Sequence, residues 1–105
     1  MNDYLLVLVT APDDAEARQL ARGLLEQRLA ACVNFVPIGS MYWWDGVIEE
    51  ASETLMIIKT RATSFDALMD AVKRAHSYDT PEVIGLPIAV GSPEYLQWID
   101  DETQR

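Results

Sequence analysis

The sequence predicts an α+β fold of βαββαβ order closed by a short third helix. Three observations carry this. Apolar residues switch between a period near 3.6 and a period of two along the chain. An Asp45-Gly46 pair separates two long strand patterns. The prolines that fall in strands, Pro37 and Pro87, occupy only the second and fourth of them.

Tyr4–Thr10 is a continuous run rich in apolar and β-branched residues, read as a central strand covered on both faces. Ala11-Pro12 breaks it. Asp13 and Glu16 then have the spacing of a capping box, and Ala17, Leu20, Ala21, Leu24 and Leu25 follow at helical spacing. From Ala31 the period becomes two, with strands expected from about Ala31 to Trp44 and from Val47 to Thr60. Asp-Gly tolerates the positive φ of a type I′ turn between them. Thr63 and Asp66 open a second helix with Phe65, Leu68, Met69 and Val72 as its apolar stripe, ending near His76. Val83–Val90 is the fourth strand. Ser92-Pro93-Glu94 supplies an N-cap, a first-turn proline and an acid for the last helix. This order is the ferredoxin-like pattern, whose outer strands are the second and fourth, where the two prolines are tolerated.

The 105 residues fit one domain, 1–105, and half of them are hydrophobic. With 17 acidic and 8 basic residues the net charge is −9, which would repel a phosphate backbone and argues against nucleic-acid binding. The longest apolar runs are strand-sized, well below the roughly 20 residues of a membrane span. Met1-Asn2-Asp3-Tyr4 carries no basic stretch of a signal peptide, and one cysteine fits a reducing compartment. The expected location is therefore cytoplasmic.

The hairpin is too long for its domain. Each strand would span roughly 45 Å at about 3.3 Å per residue, against a radius of gyration of about 13 Å for a domain of this size. The tip, Ser40-Met41-Tyr42-Trp43-Trp44, then projects with three aromatic residues that need cover. A second copy of the chain is the simplest cover; the alternatives are a ligand, a bilayer, or a fold-back of the tip at a bulge.

Leu29-Ala30-Ala31-Cys32-Val33-Asn34, Tyr42-Trp43-Trp44-Asp45-Gly46, Glu53, Ile58-Lys59-Thr60 and Tyr78-Asp79-Thr80-Pro81-Glu82 resemble the CutA family in order and spacing. The resemblance runs from Val9-Thr10-Ala11-Pro12 to Tyr95-Leu96-Gln97-Trp98. It implies a homotrimer in which the long hairpin packs on a neighbour and closes an intersubunit sheet. It also implies a non-enzymatic role in tolerance to divalent metals, especially copper. The architecture resembles that of the trimeric nitrogen-regulatory signalling proteins, so a sensing or scaffold role without metal is the alternative. A ferredoxin-like hydrolase of the acylphosphatase type is a poor fit, because Ala11-Pro12-Asp13-Asp14 would repel phosphate where that enzyme needs an arginine loop.

The resemblance further implies a ligand-binding cleft between subunits lined by Trp44, Glu53, Lys59, Tyr78 and Glu82, with Thr10 and Pro12. The other reading of the same cluster is that Lys59 pairs with Glu82 or Glu53 and locks the interface. His76, the only histidine, is read either as a helix-end residue facing the last carbonyls or as a metal ligand. Copper-linked relatives often carry His-His-Pro-Tyr where this chain has Ala75-His76-Ser77-Tyr78, and a cysteine where it has Val9. One imidazole without a thiolate predicts weak binding of copper(II) or another divalent cation, with none tightly held. Cys32 is expected to be a small buried filler.

Overall fold

The computed structural model describes residues 3–104. Met1 and Asn2, which belong to the N-terminal stretch read for a signal peptide, lie outside the described residues. Strand β1 (Tyr4–Ala11) leads to helix α1 (Asp14–Glu26), then to the long strands β2 (Cys32–Trp44) and β3 (Val47–Arg61). A 3-10 turn (Ala62–Ser64) precedes helix α2 (Phe65–Ala75), strand β4 (Val83–Pro87) and helix α3 (Pro93–Glu102). The four strands form one antiparallel sheet in the order β2-β3-β1-β4. Pro37 and Pro87 therefore lie on the two outer strands, where a missing N–H breaks no ladder on the solvent side.

Helix α1 starts where the sequence says. Asp13 is extended, and its carboxylate accepts from the Glu16 N–H at 2.8 Å. The reciprocal arm of a capping box is not made, because the Glu16 side chain reaches Ser77 instead. Leu20 and Leu24 of α1 and Leu68 and Val72 of α2 pack on Val7, Val9, Met56 and Ile58, which are fully buried. These strand residues share one face of the sheet, by the alternation of side chains along each strand.

Three expectations need correction. Within one chain strand β1 is fully covered on one face and partly on the other: Val7 and Val9 are fully buried, whereas on the second face Thr10 is buried and Leu6 and Leu8 are only half-buried. α1 and α2 occupy the first face, and α3 reaches only the far end of the second, where Arg61 donates to the Thr103 carbonyl at 2.6 Å. Helix α2 begins without a side-chain cap, and Thr63 plays no such part; the 3-10 turn ends with the Phe65 N–H bonded to the Ala62 carbonyl. Strand β4 stops at Pro87 and not at Val90. β1 begins at Tyr4, and beyond the Leu5↔Pro87 pair only the Tyr4 carbonyl bonds the chain after β4, accepting from the Ile88 N–H.

β2 and β3 stay in register from Cys32↔Lys59 to Trp44↔Val47 without a bulge. At the turn Asp45 and Gly46 both have positive φ, 50° and 78°. A type I′ turn requires this of both central residues. β1 pairs with β3 only as far as Ala11↔Thr54. Beyond that point residues 38–44 and 47–53 form a two-stranded ribbon without a third strand. It lengthens the molecule to 44 Å against 25 and 21 Å in the other directions. The tip does not fold back.

Removing the α1 cap by Asp13→Ala is expected to cost about 1 kcal/mol. In urea this reads as a lower unfolding midpoint at unchanged slope. An unchanged midpoint would mean that the Asp13–Glu16 bond contributes nothing net.

Candidate functional site

Where β1 ends, the sheet loses a strand and a cavity of about 890 Å³ opens. One wall is the ribbon, with Ile38, Ser40, Tyr42, Trp43 and Trp44. The floor is Leu8 and Thr10 of β1 with Glu53 and Leu55 of β3. The other wall is the segment from Ser77 to Glu82, which carries the chain from α2 across the end of β1 into β4. Pro81 disfavours helical φ/ψ at Thr80 and helps keep this segment out of α2.

The crossing segment is held by side chains from α1 and the end of α2. Glu16 Oε2 accepts from both the Ser77 N–H and the Ser77 hydroxyl at 2.9 Å. The His76 side chain is fully buried. Its Nε2 lies 2.7 Å from the Thr10 carbonyl oxygen. A carbonyl only accepts, so Nε2 bears the hydrogen. Nδ1 accepts from the Tyr78 N–H at 3.0 Å, which requires its lone pair. Both ring nitrogens are thus engaged with backbone, and the Glu16 carboxylate stands 3.5 Å from Nδ1. The partner carbonyl is on β1 and not on the last turn of α2. To ligate a metal, the ring would have to surrender one of these two bonds.

Tyr78 crosses the cavity edge and donates its hydroxyl to Glu53 Oε2 at 2.9 Å. Glu53 is 8% exposed. It sits one residue past the Ala11↔Thr54 pair, at the position where β1 would have continued. Burial and then the hydrogen bond and charge of Glu53 push the Tyr78 phenol from its ordinary 10.0 up to about 12. The phenol is therefore the donor and the carboxylate the acceptor.

Of the residues expected in the cleft, Trp44, Glu53, Tyr78, Glu82 and Thr10 line this cavity together, and Lys59 and Pro12 do not. Lys59 shares the sheet face of Glu53 but lies further along β3. The separation is roughly 20 Å at about 3.3 Å per residue. Its ammonium donates to Asn34 and lies 3.6 Å from the Cys32 sulfur. Within one chain it pairs with neither Glu53 nor Glu82. Cys32 itself is half-buried beside that ammonium and is not the enclosed filler expected. Asp79, Thr80 and Ser77 join the lining without having been singled out. The signal for Asp79 was its place between Tyr78 and Thr80-Pro81; the local signal at Glu16 marked a helix start and not its contact with Ser77. Among the described residues, no three His, Cys, Asp or Glu side chains are grouped to hold a metal ion.

A raised folded-state value means that the neutral Tyr78 phenol stabilises the fold fully below about pH 10, and that this stabilisation is lost as pH rises toward 12. Titration of phenolate absorbance should show a component near 12 that disappears in Tyr78→Phe. A high-pH component that persists undiminished in the variant would show that Tyr78 does not donate to Glu53.

Comparison with known proteins agrees with this architecture. The profile of the CutA1 divalent ion tolerance protein family matches residues 5–102. The divalent-cation tolerance protein CutA of Archaeoglobus fulgidus is 48% identical over 98 residues, covering 93% of this chain and 96% of the relative. The chloroplastic protein CutA 1 of Oryza sativa is 46% identical over 95% of this chain, which spans 57% of that protein. Among solved structures, the A. fulgidus protein, described as periplasmic, superposes with a TM-score of 0.95 at 46% identity. It is covered to 99%, and this chain to 96%. The Oryza sativa CutA1 structure also gives a TM-score of 0.95, at 45% identity, with 99% of this chain and 96% of that one covered. The relatives thus include chloroplastic and periplasmic proteins, and no helix among the described residues is long and apolar enough to cross a membrane. A family profile that spans nearly the whole chain, relatives near half identity and the same βαββαβ frame place this chain in the CutA divalent-cation tolerance family.

Proposed function

We propose that the chain acts as a homotrimer in divalent-cation tolerance, as a cytoplasmic ligand-binding protein without catalytic activity, and that its cleft is completed by a neighbouring subunit. The observation that carries this is a ribbon with apolar residues on both faces. Tyr42, Trp44 and Val47 alternate with Met41, Trp43 and Ile48 across its two faces. Trp43 is 71% exposed and Ile48 58%. One partner surface cannot cover both faces, whereas insertion between two neighbours covers both. The open sheet face, with Val36, Ile84 and Leu86 exposed, adjoins the ribbon and extends the surface to be covered. Isolated two-stranded ribbons are marginal in water, so the assembly also stabilises the strand pair that walls the cavity.

Metal binding on this reading is weak, because no three ligating side chains are grouped among the described residues, His76 must give up Thr10 or Tyr78 to contribute, and single cleft carboxylates such as Glu53 are left to meet an ion. Carboxylate oxygens alone favour hard divalent cations over copper. Metal tolerance then reflects a response of the trimer to its ligand and not sequestration of the ion.

Light scattering should give three times the 11.8 kDa of one chain. Trp44→Ala removes an aromatic contact of roughly 2 kcal/mol per subunit. It should lower the melting temperature and promote dissociation. A clean monomer, or a Trp44→Ala variant unchanged in both properties, would refute the covering role of the ribbon.

Calorimetric titration of copper(II) should saturate only well above micromolar concentration. It should weaken in Glu53→Gln and stay unchanged in His76→Ala. Submicromolar binding lost in His76→Ala would place the metal on the imidazole instead.

A further inference from the structure

The lining of the cavity is unusual in its chemistry. It carries three carboxylates, Glu53, Asp79 and Glu82, and no lysine, arginine or histidine. Glu53 is more than nine-tenths buried on the cavity floor, and its one side-chain hydrogen bond among the described residues is the one from Tyr78 to Oε2. Oε1 has no donor among the described residues. Among the described residues the one buried side-chain polar atom without a partner is Arg61 Nε, so Oε1 is not sealed away but open to the cavity, where it can accept from a ligand that brings a donor.

Two further features narrow the class. Trp44, Tyr42 and Tyr78 supply aromatic side chains around the same space, and such faces attract a cation over the ring. A divalent metal needs several oxygen ligands converging at short range. Here no grouping of three ligating side chains is present among the described residues. A cavity of about 890 Å³ is also far larger than a dehydrated ion. It falls in the range that accommodates an organic molecule.

We infer that the ligand of the cleft is an organic ammonium ion, a protonated primary or secondary amine whose N–H groups bond Glu53 and whose carbon chain lies against Tyr42 and Trp44. This rests on the reading of the cleft as a binding site and specifies what it binds. An N–H donor suits Oε1, which accepts no hydrogen bond among the described residues, and a fully substituted ammonium offers none. Asp79 and Glu82 are exposed on the rim, where a second amino group of a diamine would meet them. The net charge of −9 adds an attraction for cations in general that salt screens.

The test is tryptophan fluorescence and calorimetry on the full chain in its native assembly, with n-butylammonium, 1,4-diaminobutane, tetramethylammonium, butyrate and manganese(II) as separate probes. Saturable binding of the two amines is expected, tighter for the diamine, with butyrate inert and tetramethylammonium weaker. Glu53→Gln should weaken amine binding at least tenfold, Glu82→Gln should weaken the diamine more than the monoamine, and Asp70→Asn, on the exposed side of α2, should change neither. If Glu53→Gln does not fold, Tyr78→Phe serves: it frees Oε2 and keeps the carboxylate, so amine binding must survive it. Manganese binding that depends on Glu53, with no amine binding, overturns the inference and leaves a metal-binding cleft standing. Absence of saturation by any probe in an intact trimer overturns it too, and indicates that a neighbouring subunit fills the cavity. Amine binding that Glu53→Gln leaves unchanged also overturns it.

Discussion

The early end of β1 is the constraint on which the rest of the structure depends. β2 and β3 keep pairing through Trp44↔Val47, while β1 leaves β3 at Ala11↔Thr54. That mismatch of strand lengths makes the ribbon, leaves Glu53 without a neighbouring strand and creates the space that becomes the cavity. A β1 longer by a few residues would pair across Glu53 and close the site. Pro12 and the Asp13 cap prevent this. Proline supplies no ladder hydrogen, and the cap commits the following residues to a helix.

The same point organises the second wall. The chain leaving α2 must pass the end of β1 to begin β4 opposite Val9. His76 seals that passage by bonding the Thr10 carbonyl with one nitrogen and the Tyr78 amide with the other. Glu16 fixes Ser77 from the first turn of α1. Tyr78 is thereby delivered to Glu53 from a segment with no regular structure of its own. The only histidine of the chain thus positions the cleft from behind its wall. Its place close to the site arises from that geometry, and proximity alone does not make it a ligand.

Much of this frame was legible in the sequence for local reasons. Asp45-Gly46 specifies a turn whose twist suits a hairpin, and the unbroken alternation on either side fixes its length and register. Pro37 and Pro87 assign their strands to the edges. What escaped is long-range. Glu16 looked like the far arm of a capping box because its spacing from Asp13 is right, yet its carboxylate serves a residue 61 positions away. His76 has a backbone partner 66 positions away, which no helix-end pattern encodes. The fourth strand read too long because its apolar run continues past Pro87, where its ladder with β1 ends. Lys59 joined the cleft set only through what the family resemblance implies, and a single chain leaves it roughly 20 Å from Glu53 along β3.

That last distance bears on how the cleft and the assembly fit together. Lys59 and Glu53 face the same open side of the sheet, one toward each end of β3. Lys59 has only neutral partners within the described residues, Asn34 and Cys32, and Glu53 has one neutral donor, Tyr78. Opposite charges left without ionic partners on a face that carries so much apolar surface make sense where another molecule covers it. Burial would strengthen any charge brought against them, since neither would then be screened by water. The ribbon adds exposed apolar surface to that face, and the two ends of β3 add one charge of each sign. Position along one strand therefore separates the carboxylate on the cavity floor from the ammonium at the other end of the same face.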